Sequence, residues 1–390
     1  MIDKEIGLAC TGCAACVNIC SVNAVTLRAD AEGFEYPSVD YDKCVMCKRC
    51  VTHCPSLTAV QPATLETPEV YAAWNTDEEV RVQSTSGGAF TALAKTVLER
   101  GGVVVGARYD ENFRIMHAMI DSVEDLPLLR QSKYAQSEIR TIFRDVKEQL
   151  SQHKTVLFCG TPCQVAGLKS YLGKPYENMY YCDFICRGII SQKVYHKFLH
   201  DMKGDGRAIR NVHFKNKDFG WNRFSTKLTF DDGSVYHQDR NHDYYMRGYL
   251  RHNLYLRPSC HQCMYKTLPR VADISLGDFW GIGKYNAALD NEKGTSVILV
   301  NSENGRKLLE DAKCDLYLDR RTVEEVTAGN RCLLNVAPAG EYREYFFKHM
   351  DRCDFATLIE KIDQKSLHIS FKDRVLGMVG RIKSRLLHGK

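Results

Sequence analysis

The chain has 390 residues, of which 44% are hydrophobic and 26% charged, so it can form two or three packed domains and is not intrinsically disordered. Its net charge is +5, but residues 365–390 hold seven Lys or Arg and one Asp, which leaves −1 for the rest of the chain. We therefore expect no nucleic-acid partner, because nucleic-acid binding requires a basic excess on the folded body.

The chain contains seventeen cysteines, a number that is both high and odd. No apolar run approaches the roughly 18–20 residues of a membrane-spanning helix, and the first residues lack the apolar core of a signal peptide. We therefore expect a cytoplasmic protein in a reducing compartment. Clustered cysteines in such a compartment bind metal more often than they form disulfides.

The first sixty residues repeat one cysteine spacing, with gaps of two, two and three residues. The two runs are Cys10, Cys13, Cys16 and Cys20, then Cys44, Cys47, Cys50 and Cys54. Three thiolates at such gaps bind three corners of a [4Fe–4S] cluster, and the fourth ligand comes from the other run. We therefore expect Cys54 to complete the first cluster and Cys20 to complete the second. Residues 24–27 and 34–36 are predicted to form two strands joined by a turn at 30–33.

Zinc is the alternative metal for these cysteine ligands. Structural zinc takes four ligands, commonly two separated pairs, so a third cysteine in each short run would be superfluous. The duplicated spacing therefore favours two iron–sulfur clusters. One departure is Ser21, at a position where proline commonly follows the fourth cysteine.

Beyond a proline-punctuated linker at 61–68, the sequence alternates predicted strands and helices. Strands are predicted at 70–74, 103–107, 155–158, 179–184 and 297–300, helices at 89–100, 164–171 and near Gly305, and a hairpin at 224–238 that turns at 231–233. The fold class is therefore α+β, with a small ferredoxin-like 2[4Fe–4S] module (1–60) and a mixed α/β body (66–150 and 151–330). A helical, basic C-terminal tail (331–390) follows.

Two turns in the body contain glycines and hydroxyl groups. Ser86, Gly87 and Gly88 precede a predicted helix, whose N-terminus would favour an anion, and Gly160 and Thr161 occupy a similar turn. Helix N-caps with flexible neighbours explain both turns at least as well. Neither turn is therefore specific by itself.

The other cysteines form three close pairs and three isolated positions. They are Cys159 and Cys163, Cys182 and Cys186, Cys260 and Cys263, and then Cys314, Cys332 and Cys353. A zinc site built from four of them is one interpretation, and inert apolar cysteines are another.

Six short motifs follow one another through the body. They are Ser86-Gly87-Gly88, Ser132-Lys133-Tyr134, Gly160-Thr161-Pro162-Cys163-Gln164, Asp183-Phe184-Ile185-Cys186, Arg257-Pro258-Ser259-Cys260 with Cys263, and the stretch from Asp273 to Gly281. With the preceding module, this set resembles the beta subunits of coenzyme F420-reducing hydrogenases and formate dehydrogenases. The resemblance covers residues 5–315 and is specific only as a set.

The resemblance implies a flavin-binding body, with FAD and a third [4Fe–4S] cluster. It implies that Cys163, Cys186, Cys260 and Cys263 hold that cluster. The implied cofactor contacts are Ser86, Gly87, Gly88, Ser132, Lys133, Tyr134, Gly160, Thr161 and Gln164. Lys133 would be the cation beside the flavin ring, and a solvated surface lysine is the alternative.

Three further positions lie within or beside these motifs. Asp278 and Trp280 are either site residues or a turn and a core aromatic. Arg187 departs from the family pattern, in which histidine follows the cysteine.

Clusters carry single electrons and flavin exchanges one or two, so together they predict an iron–sulfur flavoprotein oxidoreductase. We expect electrons from ferredoxin or a partner subunit to reach a small-molecule acceptor, either coenzyme F420 or another molecule. Some family members accompany surface-polysaccharide genes. The alternatives are an electron-transfer subunit without its own substrate site and a zinc-stabilised scaffold. The sequence predicts no catalytic acid or base.

The last part of the tail is predicted to form an amphipathic helix from Phe371 to Leu387. It would pack on the body, or contact an anionic membrane or an acidic partner.

Overall fold

The computed structural model describes residues 1–367, so the helix predicted from Phe371 to Leu387 lies outside the described residues. The amino-terminal module comprises α1 Ile2–Glu5, α2 Ala15–Ile19, β1 Val25–Ala29, β2 Glu35–Val39 and α3 Arg49–Thr52. At the hairpin turn, Asp30 Oδ1 accepts hydrogen bonds from the backbone N–H groups of Glu32 (3.0 Å) and Phe34 (2.9 Å), and Gly33 is left-handed (φ +83°). The predicted hairpin is present, with strands that end slightly later than expected.

The body alternates strands and helices. Its first half contains β3 Glu69–Asn75, α4 Glu78–Gln83, α5 Ala89–Glu99, β4 Val103–Tyr109, β5 Ile115–Ile120, α6 Leu126–Leu129, α7 Ile142–Ser151, β6 Val156–Gly160, α8 Pro162–Leu172, β7 Met179–Phe184 and α9 Gln192–Lys203. Its second half contains β8 Ile209–Asn216, β9 Ser225–Phe230, β10 Val235–Asp239, α10 Tyr244–Met246, β11 Ile274–Asp278, β12 Ser296–Val300, α11 Glu303–Ala312, β13 Leu316–Arg321, α12 Val323–Gly329 and α13 Arg343–His349. Residues 355–367 are also helical. Every predicted strand and helix of the body is present, with ends that differ by a few residues.

Eight strands form one mixed sheet in the order β13-β3-β12-β11-β7-β6-β4-β5. The four strands β11, β7, β6 and β4 are parallel, and the remaining pairs are antiparallel. This sheet takes strands from both predicted body domains, so the expected division near residue 150 passes through a continuous sheet. The carboxyl ends of the parallel strands meet at one edge, which is where α/β folds bind ligands.

Hydrophobic cores cover both faces of this sheet, because neighbouring residues of a strand point to opposite faces. Val103, Val105 and Phe158 pack with α7, α8 and the module on one face. Val104 and Leu157 pack with α5 and α11 on the other face. The module therefore shares a core with the body.

A second sheet, in the order β10-β9-β8, is antiparallel and packs into an aromatic core. Its predicted hairpin turns at Gly233 (φ +82°), as expected. Within residues 1–367, no helix combines the length and the apolar character needed to span a bilayer.

Candidate functional site

Both cysteine runs of the module have the same local backbone shape. The residues directly before and after the second cysteine of each run are left-handed, with φ values of +71° for Gly12, +59° for Ala14, +58° for Met46 and +61° for Lys48. Three of these four residues are not glycine, and such conformations concentrate at functional sites. The repetition indicates two equivalent binding loops.

The first set of cysteines comprises Cys10, Cys13, Cys16 and Cys54. All four line one cavity of about 320 Å³, a volume that includes space open to solvent. The remaining walls are mostly apolar and include Ile2, Ile6, Ala14, Ala15, Leu27, Pro37 and Pro55. Burial, followed by the nearby thiols of Cys10 and Cys54, raises the pKa of Cys13 to about 12. A cavity lined by four cysteines, one of them from the other run, fits the ligand pattern of a [4Fe–4S] cluster.

The second set, Cys20, Cys44, Cys47 and Cys50, lies closer to the surface. Cys50 is buried, Cys20 and Cys44 are half-buried, and Cys47 is exposed. Burial raises the pKa of Cys50, and the thiols of Cys44 and Cys20 raise it further. Cys50 also contributes to the raised pKa of Cys16, after larger effects from burial and the first set. The two sets are therefore neighbours.

The third set, Cys163, Cys186, Cys260 and Cys263, is assembled from three separate segments. Cys163 lies in the first turn of α8, Cys186 follows β7, and Cys260 and Cys263 belong to a turn around a 3-10 helix. Burial raises the pKa values of Cys163, Cys186 and Cys260, to about 12 for the last two, and neighbouring thiols of the set raise these values further. The structure thus brings together the four cysteines implied by the resemblance.

Cys159 and Cys182 form a different pair. They lie opposite each other on the neighbouring strands β6 and β7. A hydrogen bond with Cys159, followed by burial, raises the pKa of Cys182 well above its usual range.

Across residues 1–367, no group of three or more His, Cys, Asp or Glu side chains is arranged to hold a single metal ion.

Helix α8 brings the third set close to the first. Gly167 lies one turn after Cys163, and a Cβ atom at residue 167 would lie 2.9 Å from the Cβ and 3.1 Å from the Sγ of Cys13. The Cys13 thiol also contributes to the raised pKa of Cys163. The first set therefore adjoins both the second and the third.

The Ser-Gly-Gly loop, residues 86–88, packs against strands β3 and β12 of the eight-stranded sheet. A Cβ atom at Gly87 would lie 2.4 Å from the carbonyl oxygen of Ala73 and 2.9 Å from the backbone nitrogen of Ser296. The Ser86 hydroxyl donates to the carbonyl oxygen of Thr295 (2.9 Å). Gly88 is left-handed (φ +84°) at the N-cap of α5. These contacts account for the two glycines without a ligand.

Hydrogen bonds join the three segments implied in cofactor binding. The backbone N–H of Ser132 donates to Thr85 Oγ1 (2.8 Å), next to the Ser-Gly-Gly loop. Gln164 Nε2 donates to the carbonyl oxygen (3.2 Å) and hydroxyl oxygen (3.1 Å) of Ser137, three residues after Tyr134. Gln164 Oε1 accepts from the backbone N–H of Thr161 (2.9 Å), which forms the N-cap of α8 after Gly160. The three segments therefore adjoin one another.

Two lysines near these segments are held by backbone carbonyl groups. Lys133 Nζ donates to the carbonyl oxygens of Leu128, Arg130 and Gln131, and burial lowers its pKa to about 7. The side chain is half-buried, and its role beside a flavin stays a prediction. Lys217 Nζ donates to three carbonyl oxygens, including that of Ser86 (2.8 Å), and burial, followed by the Arg81 charge, lowers its pKa to about 7.

Asp278 lies at the carboxyl end of β11, within an aromatic cluster. Its carboxylate accepts hydrogen bonds from Lys215 Nζ and Trp221 Nε1, the latter at 3.1 Å. Trp280 stacks on Trp221 with ring centroids 4.6 Å apart. Lys215, near the end of β8, and Lys217, just after β8, could not be identified from the sequence, because lysine usually indicates a solvent-facing position.

Three family matches cover most of the chain. Residues 9–57 match a 4Fe-4S dicluster domain. Residues 70–144 match the N-terminal part, and residues 153–326 the C-terminal part, of the coenzyme F420 hydrogenase/dehydrogenase beta subunit. The chain therefore belongs to the family of coenzyme F420 hydrogenase/dehydrogenase beta subunits and carries a 4Fe-4S dicluster domain. The resemblance inferred from the motifs is confirmed.

Two curated relatives are similar over much of the chain. A subunit of the F420H2 dehydrogenase of Methanosarcina mazei is 24% identical over 336 residues, which are 82% of this chain and 90% of the relative. The beta subunit of F420-dependent formate dehydrogenase 1 of Methanococcus maripaludis is 24% identical over 264 residues, 64% of this chain and 60% of the relative. A chain in the F420-reducing [NiFe] hydrogenase complex of Methanosarcina barkeri aligns with a TM-score of 0.47 and 17% identity, covering 78% of this chain and 93% of that one.

Proposed function

We propose that this chain is an iron–sulfur flavoprotein oxidoreductase. It passes electrons from ferredoxin or a partner subunit to a two-electron acceptor, either coenzyme F420 or another small molecule. The observation that carries the proposal is that the first set of four cysteines adjoins both the second set and the third set. When bound, [4Fe–4S] clusters carry single electrons and FAD exchanges them with a two-electron acceptor.

In this proposal, each set of cysteines holds one [4Fe–4S] cluster. The exposure of Cys47 gives a redox partner access to the second set, whereas the cavity of the first set is lined mostly by apolar residues. The close approach of Gly167 to Cys13 keeps the first and third sets near each other. Short distances between the sets favour an internal electron route over loss of electrons to solvent.

FAD binding is supported by charge and position. Lys133 and Lys217 supply half-buried amines beside the connected segments, and an anionic cofactor would favour the protonated, charged form of both. The segments adjoin the turn after β6, at the ligand-binding edge of the parallel strands. The nine residues implied in cofactor contact remain predictions.

A second candidate function is an electron-transfer subunit without its own substrate site. Both curated relatives are named as subunits of dehydrogenases, which favours work within a larger complex. In that case a partner subunit would hold the substrate.

The two candidates are distinguished by anaerobic purification, denaturation and identification of the released chromophore. We expect FAD near one per chain, and a lower FAD content in Lys217→Gln, which removes one of these two amines. The matched control is Lys227→Gln, because Lys227 forms a surface salt bridge with Asp218 (2.7 Å). Gly87 is unsuitable for this test, since any side chain there would collide with the sheet. A flavin-free chain that still passes electrons from ferredoxin to a partner would favour the second candidate.

A further inference from the structure

Arg257 is fully buried where the body contacts the module. Its Nε donates to the carbonyl oxygen of Cys10 (2.7 Å), its Nη2 to that of Glu35 (2.7 Å), and its Nη1 to Gln136 Oε1 (2.9 Å). Its guanidinium carbon lies 4.6 Å from the centre of the Tyr36 ring. One side chain of the body thus bonds to the cysteine loop and to the hairpin of the module.

Within residues 1–367, the side chain of Arg257 forms no salt bridge, and its three hydrogen-bond acceptors are neutral. The Glu35 carboxyl group is close enough for the Arg257 charge to oppose the rise in its pKa that burial causes, but the two side chains are not paired. Arg270, which is similarly buried, pairs with Asp183 at 3.0 Å. A buried cation that lacks a salt-bridge partner is costly, so an anion beside it would be stabilising in the functional protein.

The loop that contains the first run of cysteines packs closely against this guanidinium. A Cβ atom at Gly12 would lie 2.9 Å from Arg257 Nη1 and 2.2 Å from Gln136 Nε2. A side chain at residue 12 would therefore displace these two hydrogen-bonded groups, whereas the left-handed φ alone does not require glycine, because Met46 adopts it at the equivalent position of the second run. Gln136 Nε2 also donates to the carbonyl oxygen of Thr11 (3.2 Å).

Arg257 also reaches the third set. The backbone N–H of Cys260 donates to the carbonyl oxygen of Arg257 (2.9 Å). Arg257 therefore contacts Cys10 of the first set through its guanidinium and Cys260 of the third set through its main chain.

We propose that Arg257 is a positioning residue shared by two clusters, whose charge stabilises the reduced form of both and whose hydrogen bonds fix their separation. This inference rests on the proposed ligand sets. Four thiolates make a [4Fe–4S] cluster anionic, and reduction by one electron adds a further negative charge. A fixed cation nearby raises the reduction potential, as charge and hydrogen bonding do at such clusters generally.

The test is a redox titration of the full-length chain, purified without oxygen and monitored by electron paramagnetic resonance. Arg257→Gln removes the charge, whereas Arg257→Lys retains it with a shorter side chain. The matched control is Arg207→Gln, since Arg207 also donates to two carbonyl oxygens and lies over an aromatic ring, that of Phe230. Iron and sulfide are counted in every sample.

We expect lower midpoint potentials for two of the three clusters in Arg257→Gln, with potentials near the parent values in Arg257→Lys and Arg207→Gln. Full iron content with unchanged potentials in Arg257→Gln would overturn the inference. If Arg257→Gln loses clusters, Arg257→Lys distinguishes the two explanations. Retained iron and potentials near the parent values in Arg257→Lys would support a role for the charge. Loss of clusters in Arg257→Lys as well would mean that Arg257 is only a structural contact. A parent chain without iron and sulfide would instead contradict the proposed function.

Discussion

A single glycine sets how closely α8 approaches the first set of cysteines. In Gly167→Ala, the added methyl group would lie 2.9 Å from Cys13 Cβ, closer than such atoms approach. Alanine should stabilise an isolated helix by about 1 kcal/mol over glycine, but overpacking a core costs roughly 1–3 kcal/mol. We therefore expect net destabilisation together with a lower iron content, measured by urea unfolding and iron analysis.

The matched control is Gly106→Ala on strand β4, where the nearest atom to an added Cβ is 3.4 Å away, an ordinary contact. It should retain both stability and iron. If Gly167→Ala matched the control in both measurements, the close contact with Cys13 would have no energetic importance.

Individual residues were predictable from sequence where the chemistry depends on spacing along the chain. The two runs of cysteines and their exchanged fourth ligands follow from local spacing, and the cavity lined by Cys54 with the first run agrees with it. The surroundings of Arg257 were not predictable, because its acceptors Cys10 and Glu35 lie more than 200 residues away in sequence. Likewise, the reason for glycine at residue 87 is visible only once β3 and β12 are adjacent.

Two hairpin turns allow the energetic effect of packing between the module hairpin and α9 to be measured. Gly33 and Gly233 have nearly equal φ values, +83° and +82°, so alanine at either position adopts a left-handed conformation that costs roughly 1–2 kcal/mol. A Cβ atom at Gly33 would also lie 2.3 Å from Lys193 Cβ on α9, whereas one at Gly233 has no atom within 4 Å. We expect Gly33→Ala to lower the free energy of unfolding by roughly 1–3 kcal/mol more than Gly233→Ala.

Thermal or urea unfolding of the two variants gives this difference. Equal losses would mean that the tip of the module hairpin does not pack against α9. The carbonyl oxygen of Glu32 also accepts a hydrogen bond from Ser191 Oγ (2.7 Å), which gives a second reason to expect docking at this tip.

Elements with strong local patterns were predicted, and those defined by tertiary contacts were missed. The buried strand β12 and the hairpin β9–β10 have clear hydrophobic or turn patterns. The edge strand β13 was missed because only its first residue, Leu316, is buried, so its sequence lacks the alternating pattern of a half-buried strand. Strand β8 mixes exposed and buried polar residues, including Lys215, which local sequence cannot distinguish from a loop.

At the scale of the whole molecule, the module and the body form one structure despite the predicted linker. They share a hydrophobic core with α7 and α8. Arg144 on α7 donates to the carbonyl oxygens of Val17 and Cys20, each at 3.0 Å. Because these contacts join distant parts of the sequence, local patterns predicted the parts but not their docking, which brings the first and third sets together.

The central claim is that this chain holds three [4Fe–4S] clusters, and the most direct test is its iron and sulfide content after anaerobic purification. We expect about twelve of each per chain. Cys260→Ser should reduce both to about eight, whereas Cys353→Ser should retain the parent values, although both cysteines are half-buried. About eight iron atoms in the parent and in Cys260→Ser alike, or zinc as the stoichiometric metal, would contradict the account.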